Sequence, residues 1–371
     1  MKTRKTIYIF ILFSLMALTI TAQQDSTKKT SALTYEASYV GDVVNNLSGG
    51  IQKGSNYMGM VHVGLGFDTE KAKWWKGGEF YTNFMNTHGD EPSANLIGDI
   101  QTASNIEAGN LSVLYELWYK QNLGSLEITL GLIDLNSNYA VTENGGLFVN
   151  SSFGVHSVMS DNISLPIFPI TALGIDFLWE ISEYAHWRIA LFDGTPNSRN
   201  PYNTNWIVGK EDGYLLVSEF HLHKSLIKGQ AGCYKLGGYY HQHNSAYIPY
   251  HENGGVYFIA DQEINKKLSA FTQLGFNPNN INNHNYFYSL GVNYKNFSKK
   301  RANDAMGLAV AYFGIDDALI KHETAIELTY KFQLNEHLYI QPDIQYIINP
   351  AGTGTKLENA LVGIVRVGME M

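Results

Sequence analysis

Apolar and polar residues alternate along most of the chain. In LYIQPDIQYIINP (338–350), Ile340 and Ile344 fall on one parity, whereas Gln341, Asp343 and Gln345 fall on the other. A strand sends successive side chains to opposite faces, so one face here is apolar and the other is polar. The apolar face would meet a protein core in a soluble sandwich and lipid in an outer-membrane barrel. No segment of helix length shows a convincing 3.6-residue period.

The alternation predicts about sixteen strands, each close to the roughly 9 to 11 residues that a tilted transmembrane strand needs. An even number of strands is typical of bacterial outer-membrane barrels. The predicted strands are 33–43, 57–68, 77–86, 111–121, 124–134, 170–181, 184–193, 213–223, 229–240, 254–263, 267–277, 284–296, 305–315, 322–334, 337–348 and 358–371.

The lengths of the connections favour a barrel over a sandwich or a jelly roll. Tight turns at 122–123, 182–183, 264–266 and 335–336 alternate with long Asn/Gly/Ser-rich loops at 87–110, 135–169, 194–212 and 241–253. Short periplasmic turns and long external loops are the layout of an outer-membrane barrel. We therefore predict an all-β fold, a single transmembrane antiparallel β-barrel. The connections around 69–76 and 299–303 are longer than a periplasmic turn should be.

The outward face of such a barrel contacts lipid, and aromatic residues near strand ends are candidates for the girdles at the two membrane surfaces. The candidates are Tyr119, Trp179, Trp187, Tyr294, Tyr330 and Tyr346. In VLYELWYKQ, strict alternation places Val113 and Tyr115 on the same face as Leu117 and Tyr119.

The start of the chain has the pattern of a secretory signal peptide. Lys2, Arg4 and Lys5 precede an apolar run over 7–20, and small residues follow. The run is short for a membrane span, so we expect cleavage after Ala22, although a retained N-terminal anchor is the alternative. Residues 1–22 would then be the leader and 23–371 the barrel domain.

Charge and cysteine content limit the partners. Removal of the three leader cations lowers the formal net charge from −8 to −11, which argues against nucleic acid as a partner and disfavours anionic solutes. Cys233 is the only cysteine, so the chain has no internal disulfide. Beyond the leader, no run of 18 apolar residues predicts a transmembrane helix.

Several segments resemble the carbohydrate-selective porin family of Gram-negative outer membranes. The tail segments DAMGLAVAYFGID, ETAIELTYKFQLNEHLYIQPDIQYIINPAGT and NALVGIVRVGMEM are similar to its closing four strands, and QPDIQYIINP is the most specific part. Earlier, NLSGG, ELWYKQ, LGLID and LFVNSSFG follow in the expected order. The resemblance implies a sixteen-stranded outer-membrane barrel through which sugars diffuse passively, without a cofactor. It leaves both a monomer and an oligomer open.

A channel that favours neutral polyols needs hydrogen-bonding groups and aromatic faces at its narrow point. Polar and aromatic residues of inward parity are therefore predicted to line the pore: Glu116, Trp118, Lys120, Glu127, Asp176, Glu180, Arg188, Glu219, Glu327, Lys331, Tyr339, Gln341, Asp343 and Arg366. For each residue the alternative is a solvated or mutually paired group that only supports the wall. As a set they favour water inside the barrel, because unpaired buried charges are costly.

The longest loop, about 136–169, carries more apolar residues than a solvated loop should. Leu147, Phe148, Val149 and Phe153 lie within GGLFVNSSFGVHS. We predict that this loop folds into the lumen and narrows it. The alternative is a loop packed over the outer rim or against a neighbouring protomer.

Other chemistry has weaker support. Two pairs of histidines, His221 with His223 and His241 with His243, are each two residues apart and therefore share a face of a strand. The two pairs fall at opposite strand ends and cannot form one site, so no metal site is predicted. No G-x-S-x-G or complete H-E-x-x-H motif indicates an enzyme. A closed structural or adhesive barrel and a secreted sugar-binding β protein are the alternatives to a channel.

Overall fold

A closed barrel of sixteen antiparallel strands is the architecture of the chain in the computed structural model, which describes residues 31–196, 202–204, 206, 208–245, 251–278, 284–316 and 319–371. Each strand pairs with its sequence neighbours, and β1 pairs with β16 to close the barrel. The predicted fold and strand number are therefore confirmed. The predicted leader, 1–22, lies outside the described residues.

Every predicted strand has a counterpart. The strands are β1 Leu33–Gly50, β2 Gly54–Asp68, β3 Gly78–Gly89, β4 Leu111–Asn122, β5 Leu126–Ile133, β6 Ala172–Ser182, β7 Ala185–Asp193, β8 Tyr214–His223, β9 Gly232–Gln242, β10 Glu252–Glu263, β11 Leu268–Phe276, β12 Tyr286–Lys295, β13 Ala305–Gly314, β14 His322–Gln333, β15 Leu338–Ile348 and β16 Glu358–Glu370. The largest difference is β1, whose pairing with β16 continues past two register shifts to Gly50.

The connections are sorted between the two ends of the barrel, as predicted. The end that carries the connections 123–125, 183–184, 264–267 and 334–337 is called the turn end here. The opposite end, called the loop end, carries the long connections 90–110, 134–171 and 194–213. There are exceptions at both ends. The connection 51–53, between β1 and β2, is short and lies at the loop end, whereas the connections 69–77, 224–231 and 296–304 are longer than tight turns and lie at the turn end.

Helical structure in the described part of the chain is confined to short segments of the two loops 90–110 and 134–171. These are a π-helical turn at Ser93–Ile97, 3-10 turns at Leu135–Ser137, Gly145–Leu147 and Ser151–Phe153, and the single-turn α-helix Ser157–Ser160. No helix among the described residues is both long and apolar enough to cross a membrane.

Apolar side chains cover the outer face of the barrel, and aromatic residues concentrate near its ends. Trp179 and Trp187 are 50% and 41% exposed beside the turn end, and Tyr346 is 41% exposed near the loop end. Tyr119 packs against Phe80 with ring centroids 4.8 Å apart. This arrangement matches the aromatic girdles of barrels embedded in lipid.

A β-bulge in β4 corrects the predicted orientation of Val113 and Tyr115. The β3/β4 register shifts between Asn83 and Phe84, so that Tyr115 and Glu116 both turn towards the lumen. A bulge adds one residue to a strand and reverses the parity of the residues on one side of it. Val113 and Tyr115 are therefore inside the barrel, and the prediction that they share the outer face with Leu117 was wrong.

Candidate functional site

The loop 134–171 lies inside the barrel, where carboxylates of the inner wall bind its backbone. Glu327 on β14 accepts hydrogen bonds from the amides of Val149 (2.6 Å) and Asn150 (3.0 Å). Asp261 on β10 accepts from Thr142 Oγ1 at 2.7 Å and from the Asn144 amide at 3.0 Å. Because β10 and β14 are not neighbours in the barrel and both side chains face inward, a loop that reaches both lies inside the lumen. The predicted inward folding is confirmed.

Apolar packing fixes the same loop against the wall. Phe148 and Phe153 are buried, with ring centroids 4.9 Å apart, and both pack on Phe271 of β11. The approach is so close that a Cβ at Gly307 would lie 2.6 Å from Phe148 Cζ. Burying each large apolar side chain contributes about 1.5–3 kcal/mol, so the tip of the loop is a folded part of the barrel interior.

A second loop, 90–110, contributes to the interior. Glu323 on β14 accepts hydrogen bonds at 2.9 Å from the amides of both Ile100 and Gln101. Gln345 on β15 donates to the Ala103 carbonyl at 2.8 Å. Since Glu323 accepts two main-chain hydrogen bonds in the buried interior, this loop too is held against the wall.

The two loops leave a cavity of about 680 Å³ along one side of the lumen. On that side the barrel wall contributes Val40 from β1, Met60 and His62 from β2, Tyr115 from β4 and Arg366 from β16. The loops supply most of the remaining lining, including Gln101, Asn105, Glu107, Asp134, Asn136, Ser152 and Asp161. The other side of the lumen is filled, because loop residues pack there against β7 to β13.

Fixed hydrogen-bonding groups and an aromatic ring face this cavity. The guanidinium of Arg366 binds both carboxylate oxygens of Asp42 at 2.8 Å, and its Nη2 donates to Asn105 Oδ1 at 2.7 Å. The Tyr115 ring lies edge-on to His62, with centroids 5.6 Å apart. A planar guanidinium held by two partners presents its remaining donors in a fixed orientation, which suits recognition of hydroxyl groups.

Three loop carboxyl groups of the cavity lining, those of Glu107, Asp134 and Asp161, bind protons more readily than usual. Burial raises the pKa of Glu107 to about 7, and the nearby Asp99 and Glu91 carboxyls raise it further, against hydrogen bonds from Ser93 that lower it. Burial raises the pKa of Asp134 to about 6, although hydrogen bonds from Tyr115, Asn136 and Ser137 oppose the shift. Burial alone raises the pKa of Asp161 to about 7. Removing a carboxylate from water disfavours its charged form, which explains all three directions.

The residues predicted to line the pore all fall on the inward parity of their strands, but the structure distributes them widely. Near the turn end, Lys120 lies 3.8 Å from Glu79 and 3.7 Å from Glu127, and its Nζ is 5.0 Å from the Trp118 ring centroid. Trp118 in turn donates to Glu116 at 3.3 Å. These groups form a polar wall below the loops.

Other predicted residues pair with each other or hold the loops. Arg188 forms an ion pair with Asp176 at 3.1 Å, and Lys331 lies 3.9 Å from the Tyr339 ring centroid. Gln341 donates to the Leu147 carbonyl at 2.7 Å. Glu327 and Gln341, which were also predicted to line the pore, contact loop 134–171. Asp343 accepts a hydrogen bond from Gln345. Glu180 is exposed and lies opposite His186.

Of the residues predicted to line the pore, all of which the structure describes, Arg366 is the one that lines the cavity. Tyr115 was missed because the bulge reverses its parity. Glu107 and Asp134 were missed because they belong to loops, whose position in the lumen no periodicity encodes. The segment LGLID, which ends with Asp134, was the sequence signal nearest to the cavity.

Comparison with known proteins gives concordant results. Porin B of Pseudomonas aeruginosa is 23% identical over an alignment of 399 residues that covers 90% of this chain and 86% of that protein. The high-pH structure of Pseudomonas putida OprB superimposes with a TM-score of 0.82 at 20% identity, covering 92% of this chain and 94% of that one.

A more distant solved structure shares the fold. A mutant of the Rh. blastica porin superimposes with a TM-score of 0.57 at 12% identity and covers 91% of this chain and all of that one (100%). At such identities the structures establish the barrel fold alone. The sequence goes further, because residues 52–371 match the profile of one family over most of the chain. The chain therefore belongs to the carbohydrate-selective porin, OprB family.

Proposed function

We propose that carbohydrates cross the membrane by passive diffusion through the cavity between the two loops and the wall formed by β1, β2, β4 and β16. The observation that carries the proposal is the cavity itself, about 680 Å³ inside a closed barrel. Its size falls within the range of about 300–1,000 Å³ of pockets that hold small organic ligands. Tyr115, Arg366 and the loop polar groups would provide the aromatic face and the hydrogen bonds for a sugar ring.

Membership of the family makes the chain an outer-membrane porin of Gram-negative bacteria through which sugars pass, and it supports a channel rather than an enzyme. We further propose that residues 1–22 are a cleaved leader, that 23–371 form the single barrel domain, and that one chain suffices for transport. The last point is supported by the barrel, which the sixteen strands of one chain close around the cavity.

Some residues predicted to line the pore lie outside the cavity, and we propose that they guide solutes through the rest of the lumen. Near the turn end, Glu79, Lys120 and Glu127 form a chain of opposite charges on the wall. Facing acidic and basic groups create a transverse field that a neutral, hydrated sugar tolerates better than an ion does. We propose that this wall, with Trp118, guides solutes that have passed the cavity.

Single-channel conductance of the refolded chain in a planar bilayer tests the function. We expect stable open steps that glucose or maltose blocks more strongly than an uncharged non-sugar of similar size. Tyr115→Ala should weaken the sugar block by about fivefold, the equivalent of about 1 kcal/mol of aromatic contact. The matched control is Tyr288→Ala, because Tyr288 is an aromatic residue of the outer face.

Two results would contradict the proposal. Absence of conductance steps from a natively folded, inserted barrel would favour a closed structural barrel. Equal block by sugar and non-sugar, unchanged in Tyr115→Ala, would remove the cavity from the sugar path.

A further inference from the structure

Three histidines meet on the inner wall near the turn end. His221 and His223 are two residues apart on β8, and the β7/β8 register places His186 directly opposite His221. The ring centroid of His186 lies 4.2 Å from that of His221 and 5.2 Å from that of His223. Sequence spacing identified only the pair on β8, because the third histidine belongs to a different strand.

We propose that His186, His221 and His223 bind a divalent transition metal ion such as Zn²⁺. Each ring can offer one nitrogen, and these nitrogens lie within 4.8 Å of one another. Three imidazole ligands at a Zn–N distance of about 2.0–2.1 Å in tetrahedral geometry require nitrogens about 3.4 Å apart. Small rotations of the rings about their side-chain bonds would bring nitrogens that lie within 4.8 Å of one another to this separation. Imidazole is a preferred ligand of zinc, copper and nickel.

A buried carboxylate orients one of the ligands. His221 Nε2 lies 2.5 Å from Glu219 Oε1, which leaves Nδ1 of the same ring to bind the metal. The other oxygen of Glu219 accepts from the Ala140 amide at 2.9 Å and from the Tyr257 hydroxyl at 2.6 Å. A carboxylate that holds the second nitrogen of a ligating histidine is a common feature of metal sites, since it fixes the ring and raises its basicity.

The neighbouring charges are compatible with a cation. Arg188 is neutralised by Asp176 at 3.1 Å. Lys235 keeps its charge, since its Nζ donates to the neutral Val141 carbonyl at 2.6 Å, but the Glu219 carboxylate beside His221 offsets it. The exposed carboxylate of Glu180 lies opposite His186 in the β6/β7 register. His223 is exposed. The cluster is therefore open to ions in the lumen, and the fourth coordination position would face water.

The site also touches the cavity-forming loop. Glu219 joins His221 on one side to Ala140 of loop 134–171 on the other. A bound ion would add two positive charges to the wall below the cavity. This inference does not rest on sugar permeation, because the three histidines and Glu219 would bind the ion whether or not sugar passes.

Titration of the refolded full chain without a polyhistidine tag tests the site, with ZnCl₂ followed by calorimetry and CoCl₂ by visible absorption. We expect one ion per chain and the intense visible bands of tetrahedral cobalt. His223→Ala and His186→Ala should each weaken Zn²⁺ binding by about tenfold or more. His337→Ala is the matched control, because it removes an exposed histidine at the same end of the barrel and should leave binding unchanged.

Folding of each variant is verified by its heat-dependent shift on a gel, and His223→Ala is the decisive variant because its side chain is exposed. Zn²⁺ binding of unchanged affinity in folded His223→Ala and His186→Ala would overturn the proposal. Loss of binding in His337→Ala to the same extent would also overturn it, as would the absence of saturable binding to the native chain.

Discussion

Acidic side chains of the inner wall bind the backbone of the two loops. Glu323, Glu327 and Asp261 each accept hydrogen bonds from main-chain amides of the loops. A loop in the lumen would otherwise leave these amides without partners, which costs about 1–3 kcal/mol for each buried group. At these positions the acidic residues of the wall therefore define the pore by fixing the loops that narrow it.

Removal of one such carboxylate should loosen the loop without unfolding the barrel. In Asp261→Ala, Thr142 and Asn144 lose their common acceptor, at a cost of roughly 3 kcal/mol. We expect noisier open-channel current and faster proteolysis within 134–171. The control is Glu79→Ala, since Glu79 faces inward but contacts Lys120 rather than a loop. Equal noise and proteolysis in the two variants would show that Asp261 does not anchor the loop.

The inward orientation of the loop-binding acidic residues could be predicted from the sequence, but their role in holding the loops could not. Alternation on β14 assigns Glu327 to the lumen, because side-chain parity is a local property of the strand. Its partners Val149 and Asn150 are nearly 180 residues away in sequence, and no local pattern encodes that contact. The same holds for His186, which joins His221 only through the β7/β8 register.

Among the elements, the strands were predictable and the irregularities were not. A two-residue period sustained over a whole strand identifies the strand and its faces. The bulge at Tyr115 and Glu116 adds one residue to that period, and the sequence VLYELWYKQ contains no mark of it. Loop 134–171 was predicted to enter the lumen from its apolar residues, because Phe148 and Phe153 need a surface on which to pack.

Replacement of the loop tip should open the lumen. If residues 146–151 become a Gly/Ser linker of equal length, Phe148 no longer packs on Phe271, and only the backbone amides of 149 and 150 remain to hold the loop tip to Glu327. We expect single-channel conductance to rise by about twofold or more and the difference between sugar and non-sugar block to shrink, since the pore radius and its lining set both.

The matched control is the same six-residue replacement at 225–230, a connection at the turn end between β8 and β9. That change should leave conductance and sugar block at their original values. A loop-tip variant that folds and conducts like the original chain would show that loop 134–171 does not limit the pore.

For the whole molecule, the barrel is filled unevenly. Loop residues pack against β7 to β13, and the cavity remains against β1, β2, β4 and β16. A solute in the cavity therefore faces Arg366 on one wall and the loop carboxyls of Glu107 and Asp134 among the other lining groups. The net charge of this narrow region, more than that of the whole chain, should set the preference between small ions.

Ion preference should therefore change with pH near neutrality. Burial raises the pKa values of Glu107 and Asp161 to about 7 and that of Asp134 to about 6, so all three carboxyl groups are charged at pH 8 and neutral at pH 5. Arg366 remains positive throughout this range. The preference for K⁺ over Cl⁻ should be greatest at pH 8 and should fall as the pH decreases through 7 and then 6, because the cavity loses negative charge while its cation remains.

The reversal potential across a KCl gradient, recorded from pH 8 to pH 5, measures this change. Glu107→Gln and Asp134→Asn keep the size of each side chain, and the amide introduced by Asp134→Asn would retain an oxygen to accept from the Asn136 backbone N–H, which now donates to Asp134 at 2.9 Å. The double variant should show at pH 8 a weaker cation preference than the original chain and a smaller pH dependence, and the dependence that remains should be that of Asp161 near pH 7. A pH profile that is unchanged in the double variant would place the titrating groups elsewhere in the pore, and a K⁺ preference that rises on acidification would contradict the sign derived from the raised pKa values.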